Sequence, residues 1–314
     1  MTAGGQDHEQ PAGTIARRRT SPEVSVVIPT VRGGRLLAEA VRSALGQTLD
    51  DVEVLVVTNA SGVDLALLPA DPRIRVLHQP RGGKPWAVNL AVGEARGRWL
   101  AFLDDDDLWE PEKLELQLAA LEGWRGVPAC TSQFRLIDED GALTGDGWGR
   151  PMTYRELLGA RGRFLWSTLV VARSRWVLLG GLDPRVRYAE DLAFVLRLLA
   201  DGPCAFVDTP LVRYRRHRGA ITRDHALELV QWHSLVVAAE RRLAARAGDW
   251  GSWAASLRGS VLARRWTTSE AFAEADRSFR QGSYRRAAGL ARVGLAASPP
   301  DAVRLLLKRA AGRI

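Results

Sequence analysis

The chain has 314 residues, of which 46% are hydrophobic and 25% are charged, and its formal net charge at pH 7 is +8. This composition is typical of a globular protein with one large domain, or with one domain and an appendage. No apolar run reaches the ~20 residues that cross a bilayer, and two cysteines are too few for a disulfide framework or a cysteine-metal cluster. The positive charge favours an anionic partner, such as a nucleotide, nucleic acid or a membrane surface.

The first half of the chain alternates apolar runs with amphipathic segments. Residues 1–21 are polar, without the apolar stretch of a signal peptide, and predict a disordered leader. Apolar runs predict four strands, over residues 24–28, 52–57, 74–77 and 99–103. Apolar residues at helical spacing predict helices over 35–45 and 84–95 and a third that begins at Pro111. This alternation indicates an α/β fold with a mostly parallel sheet covered on both faces.

The second half has a more mixed pattern. It predicts four more strands, over residues 131–137, 167–172, 204–207 and 211–214, and a helix that begins near Glu190. From about residue 225 the chain is almost entirely helical in pattern. Within this region, residues 270–300 resemble a single tetratricopeptide-like hairpin, and a plain helical cap is the alternative. We therefore expect an α/β domain over 22–223 and a helical region over 224–314.

Polar residues follow the strands of the first half where each strand ends. They are Pro29-Thr30, Thr58-Asn59, His78-Gln79 and the run Asp104 to Asp107. Ligands of parallel sheets bind beyond the carboxyl ends of the strands, so these residues are expected to line one cleft. Four adjacent carboxylates repel one another unless a cation lies among them. Capping of the helix predicted at Pro111 is the alternative for one or two of them, and for Asp107 it is as favoured as metal binding.

Four segments of the chain resemble the family-2 glycosyltransferases of the GT-A fold. In chain order they are VSVVIPT, GGKPWAVNLAVGEARGRWLAFLDDDDLWEPEKL, GGLDPRVRYAEDLAFVLRL and LVRYRRHRGAIT. The resemblance covers roughly residues 22–223 and leaves the helical region outside. It implies a GT-A, Rossmann-like α/β fold whose mostly parallel central sheet is flanked by helices, here with a helical C-terminal extension.

The resemblance also implies a reaction. The family transfers a sugar from a nucleoside-diphosphate sugar, here expected to be a UDP-sugar, to an acceptor hydroxyl with inversion at the anomeric carbon. A divalent cation, Mn²⁺ or Mg²⁺, neutralises the leaving diphosphate. The expected acceptor is a saccharide, a lipid-linked sugar or a small molecule, in bacterial polysaccharide or glycoconjugate synthesis. We expect a cytoplasmic protein with peripheral contact at the inner face of the membrane, and no nucleic-acid partner.

Eleven residues match functional positions of the family. Asp106 and His217 are expected to bind the metal, and Asp191 is expected to be the catalytic base. Glu190 is expected to contact the acceptor, although a charged first turn favoured by the helix dipole is the alternative for this pair. The other seven are expected to bind the nucleotide sugar: Pro29, Thr30, Asn59, Lys84, Asn89, Asp104 and Asp105. In a shifted register, Asp105 or Asp107 would replace Asp106 as the ligand.

Two departures from the family pattern leave questions open. Asn59 lies where the family has an acidic stretch that reads the base, so the identity of the base is open. Val88 precedes Asn89 where the family often has arginine, and Lys84 or Arg81 would then supply the positive charge, with a solvated loop as the alternative. Competing functions are a catalytically weak nucleotide-sugar-binding or scaffold protein and a basic nucleic-acid-binding protein, although no nucleic-acid recognition module is visible.

Overall fold

The computed structural model describes residues 21–124, 126–147, 149–161, 164–217, 225–280, 282–298, 301, 302 and 305. The predicted leader, except for Ser21, lies outside the described residues. So do residues 281, 299 and 300 of the predicted hairpin.

One mixed sheet organises the described part of the chain. Its strands are β1 (Val24–Thr30), β2 (Val52–Thr58), β3 (Ile74–His78), β4 (Trp99–Phe102), β5 (Leu108–Trp109), β6 (Ala129–Ile137), β7 (Leu143–Asp146), β8 (Val170–Ala172) and β9 (Ala205–Arg215). The order is β3-β2-β1-β4-β8-β6-β9-β5, with β7 paired to β6. Strands β1 to β4 pair in parallel, and β8 joins β4 antiparallel. The α/β prediction with a mostly parallel first half is confirmed.

Helices cover both faces of this sheet and continue beyond it. They are α1 (Gly34–Leu45), α2 (Lys84–Glu94), α3 (Lys113–Gly123), α4 (Tyr154–Leu158), α5 (Arg173–Leu178), α6 (Glu190–Asp201), α7 (Ala226–Arg246), α8 (Trp250–Arg280) and α9 (Tyr284–Ala297). The helical C-terminal region is confirmed. Among the described residues, none of these helices is both long and apolar enough to cross a membrane.

The continuous apolar strands result from burial on both faces. Val27 and Leu55 pack in one core cluster, whereas their neighbours Val26 and Val54 pack in a second. Side chains of a strand alternate between faces, so a strand between two helical layers needs apolar residues at every position. This explains why β1, β2 and β4 can be recognised in the sequence, whereas β3 lies at the edge of the sheet and is only partly buried.

Several predicted elements differ in the structure. Residues 166–168 form a 3₁₀ turn, so the strand predicted at 167–172 is reduced to β8. The strands predicted at 204–207 and 211–214 are one strand, β9, whose register against β6 shifts where Pro210 pairs with Gln133. Proline lacks the N–H of a regular ladder, so the strand continues through an irregularity there. Strands β5 and β7 and helix α5 were not predicted.

The C-terminal helices join the helices that cover the sheet through a shared core. Helix α7 contacts α6, and α8 contacts α4, α7 and α9. Val237 on α7 packs in the same cluster as Leu192 on α6. A Cβ added at Gly259 of α8 would lie 2.2 Å from the carbonyl oxygen of Leu158, so glycine allows α8 to approach α4 closely.

Candidate active site

The acidic run lies beside the end of β1. Because β1 and β4 are parallel neighbours, Thr30 and the residues after Phe102 meet at the carboxyl edge of the sheet. The Thr30 hydroxyl donates a hydrogen bond to the Asp105 carboxylate, and it accepts one from the backbone N–H of Gly33 at 3.1 Å. Burial, together with the charge of Asp106, raises the pKa of Asp105 to about 6. Two predicted nucleotide-binding positions, Thr30 and Asp105, are therefore in direct contact.

Asp107 is an anchor of the acidic run. It is fully buried, and its carboxylate accepts hydrogen bonds from Ser167 Oγ at 2.6 Å and from the backbone N–H of Arg215 at 3.0 Å. It does not cap α3, which begins at Lys113 rather than at Pro111 and has Glu112 at its N-cap position without a side-chain capping bond. The capping interpretation of Asp107 is wrong because its oxygens are used by two other elements.

Arg215 holds the same run from β9. Its side chain is 1% exposed and donates to the backbone oxygens of Asp106 and Glu139, each at 2.9 Å, and to Glu39 Oε2 at 2.7 Å. A guanidinium presents several donors in a fixed plane, so one side chain can bridge the acidic run, α1 and the turn after β6. The backbone on which Asp106 sits is fixed by these bonds.

Asp106 and His217, the two predicted metal ligands, are in contact. His217 Nε2 lies 2.9 Å from Asp106 Oδ2, and both side chains are largely buried. Burial and the charge of Asp104 raise the pKa of Asp106, whereas His217 lowers it. Arg218, the next residue along the chain, lies outside the described residues.

The donor set fits a divalent ion shared with a ligand. A carboxylate oxygen and an imidazole nitrogen converge at one place, and both are donors that Mn²⁺ accepts. Among the described residues, no cluster of three or more histidine, cysteine, aspartate or glutamate side chains could hold a metal alone. Such ions are commonly bound by one or two protein groups together with substrate phosphates and water. Two converging ligands are sufficient for that arrangement.

Lys84 links the acidic run to the start of α6. Gly83, at a φ of 110°, allows the chain to turn into α2, so Lys84 is the first residue of that helix. Its Nζ lies 2.6 Å from Asp104 Oδ1 and 5.0 Å from the centre of the Trp166 ring. Burial lowers the pKa of Lys84, but the attraction of Asp104, Glu190 and Asp191 outweighs it, so the pKa is raised. The ammonium therefore stays charged.

Glu190 and Asp191 open helix α6 after Ala189, which has a left-handed φ of 62°. Burial first, and then the charge of Asp191, raises the pKa of Glu190 to about 8. Burial also raises the pKa of Asp191, while Lys84 and a hydrogen bond from the Leu192 backbone N–H at 2.7 Å lower it. Two carboxylates in one buried site do not both ionise readily, so the pair can retain a proton near neutral pH.

One residue beside this pair was not predicted from the sequence. His233 lies on α7, and its charge interacts with that of Asp191, although burial lowers the pKa of the imidazole. A histidine within a long helical segment gives no sequence signal for such a position. It could be found only by knowing that α7 contacts α6.

Asn89 and Asn59 have different surroundings. The amide of Asn89 donates to the Leu182 carbonyl at 2.7 Å and accepts from the Leu182 N–H at 3.0 Å, so it holds the GGLD loop. Asn59 follows β2, and its backbone N–H donates to the Thr30 carbonyl at 3.2 Å. Its Oδ1 is buried and has no partner among the described residues. Asn59 thus retains a free acceptor near Thr30, whereas the amide of Asn89 is already satisfied.

The arrangement brings most of the predicted positions to one edge of the sheet. Pro29 and Thr30 end β1, the acidic run follows β4, and Lys84 couples that run electrostatically to Glu190 and Asp191. A cation and a charged lysine beside carboxylates suit the binding of a diphosphate, and a buried carboxylate pair suits proton transfer. Asn89 is the exception, because its amide is hydrogen-bonded to the backbone of Leu182 in the GGLD loop.

Known proteins are similar in sequence to a large part of this chain. Residues 25–163 match the family described as Glycosyl transferase family 2. The uncharacterized glycosyltransferase RT0329 of Rickettsia typhi is 33% identical over 231 residues, which are 68% of this chain and 70% of that protein. A chondroitin synthase of Escherichia coli is 30% identical over 187 residues, 58% of this chain but 27% of the synthase. A hyaluronan synthase of Pasteurella multocida is 30% identical over 182 residues, which are 56% of this chain but 19% of the synthase.

Solved structures share the fold. Staphylococcus aureus TarS 1-349 in complex with UDP-GlcNAc superimposes with a TM-score of 0.56 at 13% identity, over 86% of this chain and 90% of that one. The same TarS fragment in complex with UDP gives a TM-score of 0.52 at 16% identity, over 68% of this chain and 65% of that one. At such identities the likeness concerns the fold. From the family match and the Rickettsia relative together, the chain belongs to the family-2 glycosyltransferases and is a glycosyltransferase.

Proposed function

We propose that the protein transfers a sugar from a UDP-sugar to a hydroxyl of a saccharide, lipid-linked or small-molecule acceptor, with inversion, in bacterial polysaccharide or glycoconjugate synthesis. The observation that carries this proposal is the position of Lys84. One charged ammonium interacts with the strand-end carboxylate Asp104 and with the helix-start pair Glu190 and Asp191. Diphosphate binding and proton transfer, which direct displacement requires together, are thereby coupled in one site.

UDP as the carrier is supported by similarity and by Asn59. The TarS structures of the same fold hold UDP or UDP-GlcNAc, and the chondroitin and hyaluronan synthases are polysaccharide synthases by name. The buried, unpartnered Oδ1 of Asn59 can accept a hydrogen bond from the N3–H of uracil. Pro29 and Thr30, at the end of β1, would line the nucleoside through their backbone.

Asp106 and His217 would hold Mn²⁺ or Mg²⁺, which when bound neutralises charge on the leaving diphosphate. Lys84 adds a fixed positive charge close by, and Asp104 and Asp105 would contact the nucleotide sugar. Arg215 and Asp107 keep the acidic run in place while this charge develops. A pre-positioned charge of this kind needs no reorganisation during the reaction.

Asp191 would act as the base. The acceptor oxygen bonds to the anomeric carbon as the bond to the diphosphate breaks on the opposite face, and the hydroxyl proton passes to the Asp191 carboxylate. Its raised pKa makes it a stronger base than an exposed aspartate, and the Leu192 N–H fixes its orientation. Glu190, with a pKa of about 8, is mostly protonated at pH 7 and would donate a hydrogen bond to the acceptor.

The test is release of UDP from a panel of UDP-sugars, with and without Mn²⁺, for the wild type, Asp191→Asn and Asp183→Asn. Asp183 is the control because it lies on the preceding loop and pairs with Arg185 rather than with the site. Asp191→Asn should lower kcat about 10²–10⁴-fold, the range expected for a positioned acid or base. Its thermal stabilisation by UDP with Mn²⁺ should persist, and Asp183→Asn should behave as the wild type.

Two outcomes would contradict the proposal. Full activity of Asp191→Asn would remove that residue as the base. Stabilisation of the wild type by UDP without turnover of any UDP-sugar, over a broad acceptor panel, would favour a nucleotide-sugar-binding or scaffold protein instead.

A further inference from the structure

The net positive charge of the chain lies entirely in its last 90 residues. Residues 225–314 contain 15 arginines and lysines but seven aspartates and glutamates, whereas residues 1–224 contain 29 basic and 29 acidic residues. The catalytic part is therefore neutral overall, and the helical region carries the whole +8. Such segregation indicates that the helical region meets an anionic partner.

Helix α8 reverses the usual distribution of residue sizes between its buried and exposed faces. In its first half, small side chains face the protein: Ser252, Ala255, Ser256 and Ala263 are buried. Large apolar side chains face outward, with Trp250 66%, Leu257 36%, Val261 51% and Leu262 42% exposed. A helix that only capped the domain would direct its large apolar residues inward.

The exposed apolar residues share one side of the helix with arginines. Positions 250, 257 and 261 follow helical spacing, so Trp250, Leu257 and Val261 lie along one stripe. Arg258 and Arg264 are exposed beside it. We call these residues, with Leu262, the α8 face. An exposed apolar cluster bordered by like charges is typical of an interaction surface.

We propose that the α8 face docks on the surface of an anionic lipid bilayer. Arginines near a leaflet are attracted by lipid phosphates, and tryptophan and aliphatic side chains favour the interface below the headgroups. A soluble polyanion or a nucleic acid would complement the arginines but would leave the apolar stripe exposed to water. The combination of charge and exposed apolar area therefore favours lipid.

Docking would orient the catalytic site. Helix α8 contacts α7, and α7 contacts α6, whose first turn carries Glu190 and Asp191. The bilayer would then lie on the side of the molecule built by these helices. This orientation suits a lipid-linked acceptor and in that respect rests on the proposed function, but the docking itself does not depend on turnover.

The experiment is co-sedimentation of the full chain with vesicles, without nucleotide sugar. Vesicles of phosphatidylcholine alone are compared with vesicles containing 40% phosphatidylglycerol, at 0.1 M and 0.5 M NaCl. We expect binding to the anionic vesicles that weakens with salt and little binding to the neutral ones. Arg258→Gln/Arg264→Gln should weaken binding about fivefold per arginine removed. Leu257→Ser/Val261→Ser should also weaken it, by tenfold or more.

The matched control is Arg173→Gln/Leu178→Ser, which changes an exposed arginine and an exposed leucine on α5. It should bind as the wild type, and circular dichroism should be the same for all variants. Equal binding to neutral and anionic vesicles, or unchanged binding of both α8 variants, would overturn the proposal. A dimer that forms without vesicles and is lost in Leu257→Ser/Val261→Ser would also overturn it. So would binding to heparin as tight as binding to anionic vesicles, if Leu257→Ser/Val261→Ser left the heparin binding unchanged. None of these outcomes depends on enzymatic activity.

Discussion

Two adjacent residues of the acidic run, Asp106 and Asp107, have different surroundings. The carboxylate of Asp107 is fully buried and receives hydrogen bonds from Ser167 and from the Arg215 backbone. One residue earlier, Asp106 contacts His217 and is partly accessible, with its pKa raised by burial and by Asp104. Asp107 thus anchors the run, whereas Asp106 is in a position suited to a ligand. Residue type did not decide this division, because each role follows from the element that each carboxylate meets.

The sharpest test of the comparison is the pair Asp106→Ala and Asp107→Ala. Asp106→Ala should lower kcat about 10³-fold or more with Mn²⁺ present, as expected when a group that holds transition-state charge is removed. Its melting temperature should stay equal or rise, because repulsion with Asp104 is relieved. Asp107→Ala should lower stability by about 2–4 kcal/mol, since Ser167 Oγ and the Arg215 N–H lose buried partners.

Denaturant unfolding and UDP-release kinetics, measured on both variants, check this pair. Turnover by Asp107→Ala should follow its folded fraction. If Asp107→Ala instead unfolds like the wild type and loses all activity, the metal-binding register is shifted by one residue and the proposed division is reversed.

The second test concerns Arg215, which donates hydrogen bonds to the Asp107 carboxylate and to the Asp106 carbonyl oxygen. Arg215→Met keeps an unbranched apolar side chain but removes the bonds to Glu39, Glu139 and Asp106. We expect a loss of about 3–5 kcal/mol, because the variant removes the buried cation of Glu39 and leaves the carbonyl oxygens of Asp106 and Glu139 without their donor. Arg35→Met is the control, since Arg35 also pairs with Glu39 but is about half exposed and should contribute below ~1 kcal/mol. Equal effects of the two substitutions would show that burial does not separate them.

The third and smallest expected effect is a pH dependence of stability caused by Lys113, the first residue of α3. Lys113 is fully buried against Gln117 and the Trp109 ring, and burial lowers its pKa to about 7. In the unfolded chain a lysine keeps its proton up to about pH 10.4. Between these values the unfolded state binds more protons, so Lys113 makes stability rise with pH by at most about 1.4 kcal/mol per unit.

Lys113→Met should remove that rise, and chemical denaturation at pH 7.5, 8.5 and 9.5 measures it. The control is Arg73→Met, because the pKa of Arg73 is raised by Asp71 and both states keep its proton across this window. Parallel pH profiles of the wild type and Lys113→Met would mean that Lys113 stays charged in the folded protein.

The sequence supports prediction of those parts that depend on local pattern. Strands β1, β2 and β4 are predominantly apolar because both of their faces are covered, and polar residues at the strand ends were expected to meet. The α/β fold, the helical C-terminal region and the glycosyltransferase family are confirmed. Contact between Asp106 and His217 agrees with their predicted shared role, but the roles of the individual site residues remain predictions.

Other features depend on contacts between distant segments and were not predictable. Strand β9 was expected as two strands, over 204–207 and 211–214, yet pairing with β6 carries the chain through the residues between them, including Pro210. The anchoring of Asp107 requires Ser167 and Arg215, which are 60 and 108 residues away. His233 reaches the site only through the packing of α7 against α6.

The sharing of one ammonium among three carboxylates has a thermodynamic consequence. Lys84 lowers the pKa of both Glu190 and Asp191 while it is bound to Asp104. A diphosphate that draws Lys84 toward itself would weaken this effect, so both pKa values would rise on donor binding. Nucleotide binding should then be accompanied by proton uptake, and its heat should vary with the ionisation enthalpy of the buffer. If Glu190 takes up that proton, the proposed base Asp191 would gain basicity when the donor is present, which would favour donor-first order.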